Sequence, residues 1–411
     1  MREAASPAQQ AFARFWRKVA VRIAVSVLLV LLLIGIYAPF LANEIAYLWV
    51  DERGMHWPLL ADLLNRASYP RWHDLLFNVV SLLLPPLAVG CWLLGHRFSI
   101  RQRLGGCALA VLLVWLMAMA PIIPTTSGWS ACWDYRPLSQ CTSIHAHASS
   151  AGGEAPHPSF AIFAPIPHRS DAAYLGASLL PPGAINASTG AHFWLGTDDI
   201  GRDVLATLCF GVRISLTIGF VATGLSLAIG VLVGGASGYF GGWIDVLLQR
   251  VVEIMMCFPT FIIILAVVAM IGPDIFVIMM VIGLTGWAGT ARLVRGEFLA
   301  QSVCDYVAAA EAVGMSRWRI ILRHMLPNTM APIIITATFG IAGAVLSESG
   351  LSFLGLGDPT TASWGVLLEQ GRQNIRYPWL IYAPGIAIFV LVTCLNLIGN
   401  GLRDAFDPKS S

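Results

Sequence analysis

Apolar runs long enough to cross a bilayer recur along the chain, separated by short polar connections and two long polar stretches. A helix crosses the hydrocarbon core with about 20 apolar residues. Eight stretches approach that length: Ile23–Ala42, Leu75–Gly95, Leu104–Pro124, Ile214–Gly238, Ile254–Ile271, Ile275–Ala291, Thr329–Ser347 and Tyr382–Leu402. The second and third contain no Asp, Glu, Lys or Arg. Lipid offers no partners to backbone N–H and C=O groups, so each run must be helical. Pro259 falls inside the fifth run and predicts a kink, because its ring crowds the preceding turn and it donates no hydrogen bond. The expectation is an all-α integral membrane protein of about eight transmembrane helices.

Basic residues orient the bundle. Arg14, Arg17, Lys18 and Arg22 precede the first run, which puts the N-terminus in the cytoplasm. Alternation then places His96–Arg103 inside, with Arg97, Arg101 and Arg103. The segment Arg292–Arg323 is also inside, with Arg292, Arg295, Arg317, Arg319 and Arg323, and so is the C-terminal tail. Segments 43–74 and 125–205 fall outside and mix both charge signs. The first run is longer than a signal-peptide core and no A-x-A pattern follows it, so it is expected to be retained.

The same pattern divides the chain. Residues 1–22 form a cytoplasmic N-terminus, 23–124 three helices, 125–205 an extracytoplasmic segment, 206–403 a five-helix unit, and 404–411 a cytoplasmic tail. The five-helix unit contains a cytoplasmic segment at 297–328. The outer segment is irregular and rich in Pro, Gly, Ser and Ala, as in Ser149–Pro158; so long a connection is usually functional or partly disordered. Gly230 with Gly234, and Gly238 with Gly242, are small-xxx-small pairs that let helices approach closely.

Composition agrees with a lipid solvent. Hydrophobic residues make up 57% of the 411 and charged residues only 12%, about half of the ~25% usual in soluble domains. The formal net charge of +2 points to no partner, and no stretch reads as a nucleic-acid patch. Glu253 and Glu348 are expected near helix ends, within reach of water or a basic neighbour. No ionisable residue falls clearly mid-span, where a charge costs at least ~2.5–3.5 kcal/mol and marks an ion path. That argues against the alternative of an ion-coupled secondary transporter or self-sufficient channel.

Of eight cysteines, Cys91, Cys107, Cys209, Cys257 and Cys394 belong to apolar helices, where they act as small hydrophobes. Cys304 is cytoplasmic. Cys132 and Cys141 share the outer segment, where an oxidising compartment would let them pair as a disulfide or leave them as free thiols. His145, His147, His157, His168 and His192 also lie there, without zinc-type spacing, and are expected to be solvated and to bind no metal. There is no G-x-x-x-x-G-K-[ST] phosphate loop, nucleophile elbow, HExxH pair or carboxylate dyad, so no catalytic residue is assigned.

The most informative segment is Tyr306–Asn328, YVAAAEAVGMSRWRIILRHMLPN. Helix formers run from Glu297 to Val313, and Gly314 can end that helix in a left-handed cap. Ser316 can cap a second short helix through its hydroxyl, with Pro327 just past its end. Ala308, Ala309 and Ala310 present little bulk, while Arg317, Arg319 and Arg323 make the second helix basic. On these residues alone, an ordinary amphipathic surface hairpin and a docking hairpin both stand.

The segment resembles the EAA loop of ABC-importer permeases, E-A-A, three residues, Gly, nine residues, I-x-L-P. Ala309, Ala310, Gly314, Leu326 and Pro327 match it; Ala308 replaces the Glu, and His324 stands where Ile is usual. Its YV-x-AA-x-A-x-G and RHMLPN elements are similar to the oligopeptide/dipeptide/nickel branch. Three further stretches resemble the C-type permease subunit of that branch: His192–Leu205 (HFWLGTDDIGRDVL), Glu348–Leu367 (ESGLSFLGLGDPTTASWGVL) and Gly401–Lys409 (GLRDAFDPK). Phe163–His168, FAPIPH, resembles the Yej-type peptide permeases. The resemblance implies a C-terminal five-helix type-I ABC-importer permease core and a non-catalytic subunit of the bacterial inner membrane without a cofactor. It also implies coupling through Ala308, Ala309, Ala310, Gly314, Arg317, Leu326 and Pro327 to a separate ATPase. The implied partners are a second permease, two ATP-binding subunits and an extracytoplasmic solute-binding protein. Peptide is the implied cargo class, with nickel second. The family usually has six helices, and Leu75–Gly95 with Leu104–Pro124 are an extra pair.

Overall fold

The computed structural model describes residues 7–51, 54–65, 68–93, 100–119, 160–174, 176–186, 190 and 192–407. Cys132, Cys141, His145, His147 and His157 lie outside the described residues. In chain order the helices begin with α1 (Pro7–Arg17), α2 (Val19–Ile36), α3 (Ala38–Leu41), α4 (Pro58–Asp62), α5 (Trp72–Leu93) and α6 (Ile100–Met119). Next come α7 (Val204–Phe240), α8 (Gly242–Cys257), α9 (Thr260–Ile271), α10 (Ile275–Ser302) and α11 (Asp305–Ala312). The last are α12 (Arg317–Ile320), α13 (Leu326–Asn328), α14 (Met330–Leu351), α15 (Trp364–Gln373) and α16 (Trp379–Phe406). Wider π turns occupy Ile321–Met325 and Ser352–Leu356. Short strands β1 (Leu48–Asp51), β2 (Gly54–His56), β3 (Phe160–Ile162), β4 (Ala184–Ile185) and β5 (His192–Phe193) complete the set.

Six helices among the described residues are long and apolar enough to cross a membrane, and a seventh crossing is available if a bent pair counts as one. The expected eight therefore narrows at two places. The third predicted run is the shorter apolar helix Gly105–Leu116 within α6. The fifth is the pair α8 and α9, bent by 77°. Proline explains where that bend falls. Phe258, the residue before Pro259, is extended at φ −93°, ψ 135°, the region a following proline imposes. Pro259 then stands just outside α9, where its missing N–H interrupts no helical bond.

The chain packs as two compact units. The first comprises Met1–Val30, Ser215–Glu369 and Pro384–Ser411. Within it α7 approaches α10 closely. A Cβ at Gly230 would stand 2.6 Å from Thr290 Cβ, and one at Gly238 would stand 2.6 Å from Phe298 Cβ. Gly234 presses against the Ala291 backbone in the same row. These glycines lie one turn apart and allow near backbone contact. Gly242 does not join them: it has open space and φ +55°, and serves the turn into α8. Asp274 begins α10 by accepting hydrogen bonds from the Phe276 and Val277 N–H groups at 2.8 and 3.1 Å. Residues of the first and last described segments meet within this unit, where Lys18 pairs with Asp404 and Arg14 donates to the Asp407 carbonyl at 3.0 Å.

The second unit comprises Leu31–Ile214 and Gln370–Ala383. It carries a three-stranded antiparallel sheet in the order β2-β1-β3 and a β4–β5 hairpin. The TDDIGRD segment is a closed knot: Asp198 accepts from the Ile200 and Arg202 N–H groups and from Arg202 Nε at 3.1, 2.7 and 2.7 Å. Gly196 and Gly201 are required there. Both have φ near +80°, and a Cβ on either would lie 2.5 Å from a carbonyl oxygen of the neighbouring loop. His168 is fully buried rather than solvated, with Nδ1 3.1 Å from Tyr174 Oη and its ring stacked on Phe193 at 4.5 Å. Burial pushes its imidazole down to about 4. His192 is exposed, as expected.

Arg213 changes the charge picture. The apolar pattern started a helix after it, but α7 begins nine residues earlier and Arg213 is 0% exposed. Its Nε and Nη2 donate to the Gly35 and Ile36 carbonyls at 2.6 and 3.1 Å. These belong to the last turn of α2, which lacks helical partners of its own. Asp74 of α5 lies 3.5 Å from Nη1, and Phe77 and Phe210 hold their rings 5.3 and 5.2 Å from the guanidinium carbon. The arginine thus ties α2, α5 and α7 together.

Candidate functional site

The predicted hairpin forms, with its break displaced. Instead of one helix from Glu297 to Val313, α10 ends at Ser302 and α11 starts at Asp305, with Cys304 extended between them at φ −81°, ψ 145°. Gly314 closes α11 as expected. It sits at φ +76°, its N–H donates to the Glu311 carbonyl at 2.9 Å, and the Met315 N–H donates to the Ala310 carbonyl at 3.1 Å. Those two bonds are a Schellman cap, and the left-handed residue at its centre is easiest for glycine. Ser316 takes the extended N-cap backbone of α12, but its hydroxyl makes no capping bond.

Beyond α12 the chain does not stop at Pro327. The π turn Ile321–Met325 runs into α13 with helical backbone throughout, and Pro327 falls in the first turn of α13, directly after the wider turn. Thr329 then passes directly to α14. The hairpin's second arm is therefore continuous with a membrane helix.

One face of the hairpin is rooted in the chain's own core. Val307, Ala310, Ile320, Ile321 and Met325 join Val294 and Phe298 of α10 and Ile333 of α14 in one buried cluster. Leu326 packs against it. Ala310, at 7% exposure, faces inward, whereas Ala308 and Ala309 face out. Gly314, Arg317 and Pro327 are exposed as well. The outer face also carries Val313, Trp318 and Leu322, large apolar side chains exposed by 80%, 65% and 59%. The seven predicted residues thus divide into five on the outer face and two, Ala310 and Leu326, that anchor it.

The end of α7 touches both arms. Tyr239 Oη donates to Glu311 Oε1 at 3.2 Å, and Phe240 meets Trp318 edge-on at 6.4 Å. Just above, Arg295 Nε and Nη2 donate to the two oxygens of Asp245 at 2.6 Å each. Ser237 donates to Asp245 too, and accepts from Gln249 at 3.0 Å. This bracket fastens α7, α8 and α10 at the root of the hairpin. The sequence reading counted Arg295 only as an orienting charge. Asp245, an acid in the first turn of a largely apolar helix, was the signal that it needed a partner.

Glu348 is buried, and among the described residues no basic side chain pairs with it. It is 2% exposed and accepts from Ser363 and Ser352 at 2.6 and 2.9 Å and from Ser349 at 3.4 Å. Three hydroxyl donors supply the hydrogen bonds a buried carboxylate requires. They pin the segment after the second π turn back onto α14, where a Cβ at Gly365 would stand 2.5 Å from Ser352 Cβ. Glu253 does have a basic neighbour, Arg250, at 2.7 Å.

Residues 216–411 match the family described as "Binding-protein-dependent transport system inner membrane component". The chain is similar to the dipeptide transport system permease protein DppC of Alkalihalophilus pseudofirmus, 39% identical over 251 residues, 61% of this chain and 81% of that protein. The oligopeptide transport system permease protein OppC of Haemophilus influenzae is 41% identical over 222 residues, 54% of this chain and 71% of that protein. The peptidoglycan transport system permease protein YejE of Agrobacterium fabrum is 39% identical over 219 residues, 53% of this chain and 58% of that protein.

Proposed function

The chain belongs to the binding-protein-dependent inner-membrane permeases of ATP-driven importers, and on that premise we propose that its cargo is peptide and that the Ala308–Pro327 hairpin is where a separate ATPase grips it. One observation carries the second half. The hairpin offers a small, basic and apolar outer face while its inner face is built into α7, α10 and α14. Ala308 and Ala309 leave room for a groove to close over α11, and Trp318 and Leu322 supply apolar surface beside Arg317. Because α12 runs through the π turn into α14, a displacement of the hairpin reaches the membrane helices as a rigid-body movement. The peptide assignment rests on the DppC and OppC similarity.

The working assembly pairs this subunit with a second permease, two ATP-binding subunits and an extracytoplasmic solute-binding protein. Residues 206–403 carry the translocation path, 297–328 the coupling segment and 125–205 the outer face. Both termini are cytoplasmic, which the Lys18–Asp404 pair supports by joining the two chain ends. Buried Arg213 and Glu348 remove the sequence argument against an ion-coupled transporter, so family membership now carries that argument.

The test is a pair of substitutions. Gly314→Pro cannot adopt the left-handed cap and also loses the N–H that bonds to Glu311. It should abolish ATP-driven peptide uptake while the protein still reaches the membrane. Ala309→Trp should reduce co-purification of the ATPase without unfolding the subunit. Transport that survives Gly314→Pro, or uptake by this subunit alone in liposomes without ATP, ends the proposal.

A further inference from the structure

The extra hairpin α5–α6 lies outside the residues that match the family, 216–411. It is nevertheless joined to α7, since Asp74 and Phe77 of α5 contact Arg213. Sequence placed Cys91 and Cys107 on its separate helices, as two unrelated small hydrophobes. The fold brings their sulfurs to 3.3 Å from one another. Cys91 lies two residues before the end of α5, and Cys107 lies in the second turn of α6, so the pair sits near the joined ends of the hairpin.

Neither cysteine belongs to a disulfide, and both are half-buried rather than sealed in a core. Gly105 and Gly106 precede Cys107, and a Cβ on either would meet nothing within 4 Å. A disulfide bond is ~2.05 Å long, so the sulfurs need to approach by only about 1.3 Å. Small rotations about the side-chain bonds supply that, provided the helices stay in place. Thiols held at contact exchange faster than separated ones, because the second thiol meets a mixed disulfide without a diffusional search.

We propose that Cys91 and Cys107 form a reversible dithiol–disulfide site, oxidised by low-molecular-weight disulfides. One cysteine thiolate attacks the small disulfide, forms a mixed disulfide and expels one small thiolate. The second cysteine then attacks the protein-bound sulfur and expels the other. Two protein thiols lose two protons and two electrons, and the small disulfide takes up both. The product clamps α5 to α6 by a covalent bond that dithiothreitol reverses.

The test uses the full-length protein in native membranes, treated with dipyridyl disulfide, a neutral reagent that enters lipid. Digestion and mass spectrometry should find the Cys91 and Cys107 peptides joined within one chain, at the mass of their sum less two hydrogens. Dithiothreitol should restore both. In Cys91→Ser, Cys107 should keep a stable pyridyl adduct, and the converse should hold in Cys107→Ser. A stable adduct on each cysteine of the unaltered protein overturns the proposal. So does failure of either thiol to react, or a bond that joins two copies of the chain.

Discussion

Adding one methyl group at Gly238 tests how closely α7 and α10 must approach beneath the Ala308–Pro327 hairpin. A Cβ there would stand 2.6 Å from Phe298 Cβ and 2.8 Å from the Arg295 carbonyl oxygen, against ~3.5–4.0 Å for comfortable carbon contact. Neither obstacle is the tip of a flexible side chain, so the helices must separate by about 1 Å. Overpacking of this kind costs ~1–3 kcal/mol. Alanine also favours helix over glycine by about 1 kcal/mol, which blurs a single measurement. Gly224 removes the ambiguity, because it lies on the same helix and a Cβ there would meet nothing within 4 Å. The propensity gain is common to both variants and cancels in their difference. Gly238→Ala should therefore be ~1–3 kcal/mol less stable than Gly224→Ala. The assay is thermal unfolding of the detergent-purified protein, read as the fraction remaining monodisperse. Phe298 also belongs to the core under the hairpin, so Gly238→Ala should weaken ATP coupling, whereas Gly224→Ala should not. Equal midpoints for the two variants would refute the close-contact argument.

Arg213→Met should strand two α2 carbonyls and Asp74, at ~3–5 kcal/mol for breaking a buried ionic site, and should sharply lower the yield of folded protein in detergent. A double-mutant cycle of Asp245→Ala and Arg295→Ala should return a coupling energy of ~1–3 kcal/mol, since both hydrogen bonds of the bidentate pair are lost with either partner. His168 supplies a pH dependence. Burial holds its folded value at about 4, below the ~6.5 of an unfolded histidine, so the unfolded chain binds the proton first. Stability is complete above pH ~6.5 and falls by up to ~3 kcal/mol as pH drops towards ~4. Unfolding midpoints across that window should show the slope in the unaltered protein and lose it in His168→Phe.

The periodicity of apolar runs exposed the membrane helices, because lipid demands long uninterrupted stretches whose partners need not be known. The Gly314 cap was equally legible, since it depends on neighbours within six residues. Pro259 announced a bend, although the break into two helices at 77° depends on how α8 and α9 pack. What escaped the sequence reading are contacts made at a distance. Arg295 finds Asp245, 50 residues away, and Arg213 finds carbonyls 177 and 178 residues away. Nothing local to Glu348 says that Ser363 will complete its shell, or that Ala310 will turn inward while Ala308 and Ala309 turn out. Of the seven residues proposed for coupling, the identities came from the resemblance to the EAA loop and the division into outer and inner faces came only from the fold.

That division has an evolutionary corollary. Ala308 and Ala309 look outward, so under the proposed docking a substitution there can be matched by a change in the ATPase that meets it, and the two subunits can drift together. Ala310 answers to Val307, Ile320 and Phe298 of its own chain. Exchange of ATPase subunits between related importers should therefore select compensating changes at 308 and 309 while leaving 310 untouched. A missing glutamate at Ala308 would then record the history of a pairing rather than the loss of a function.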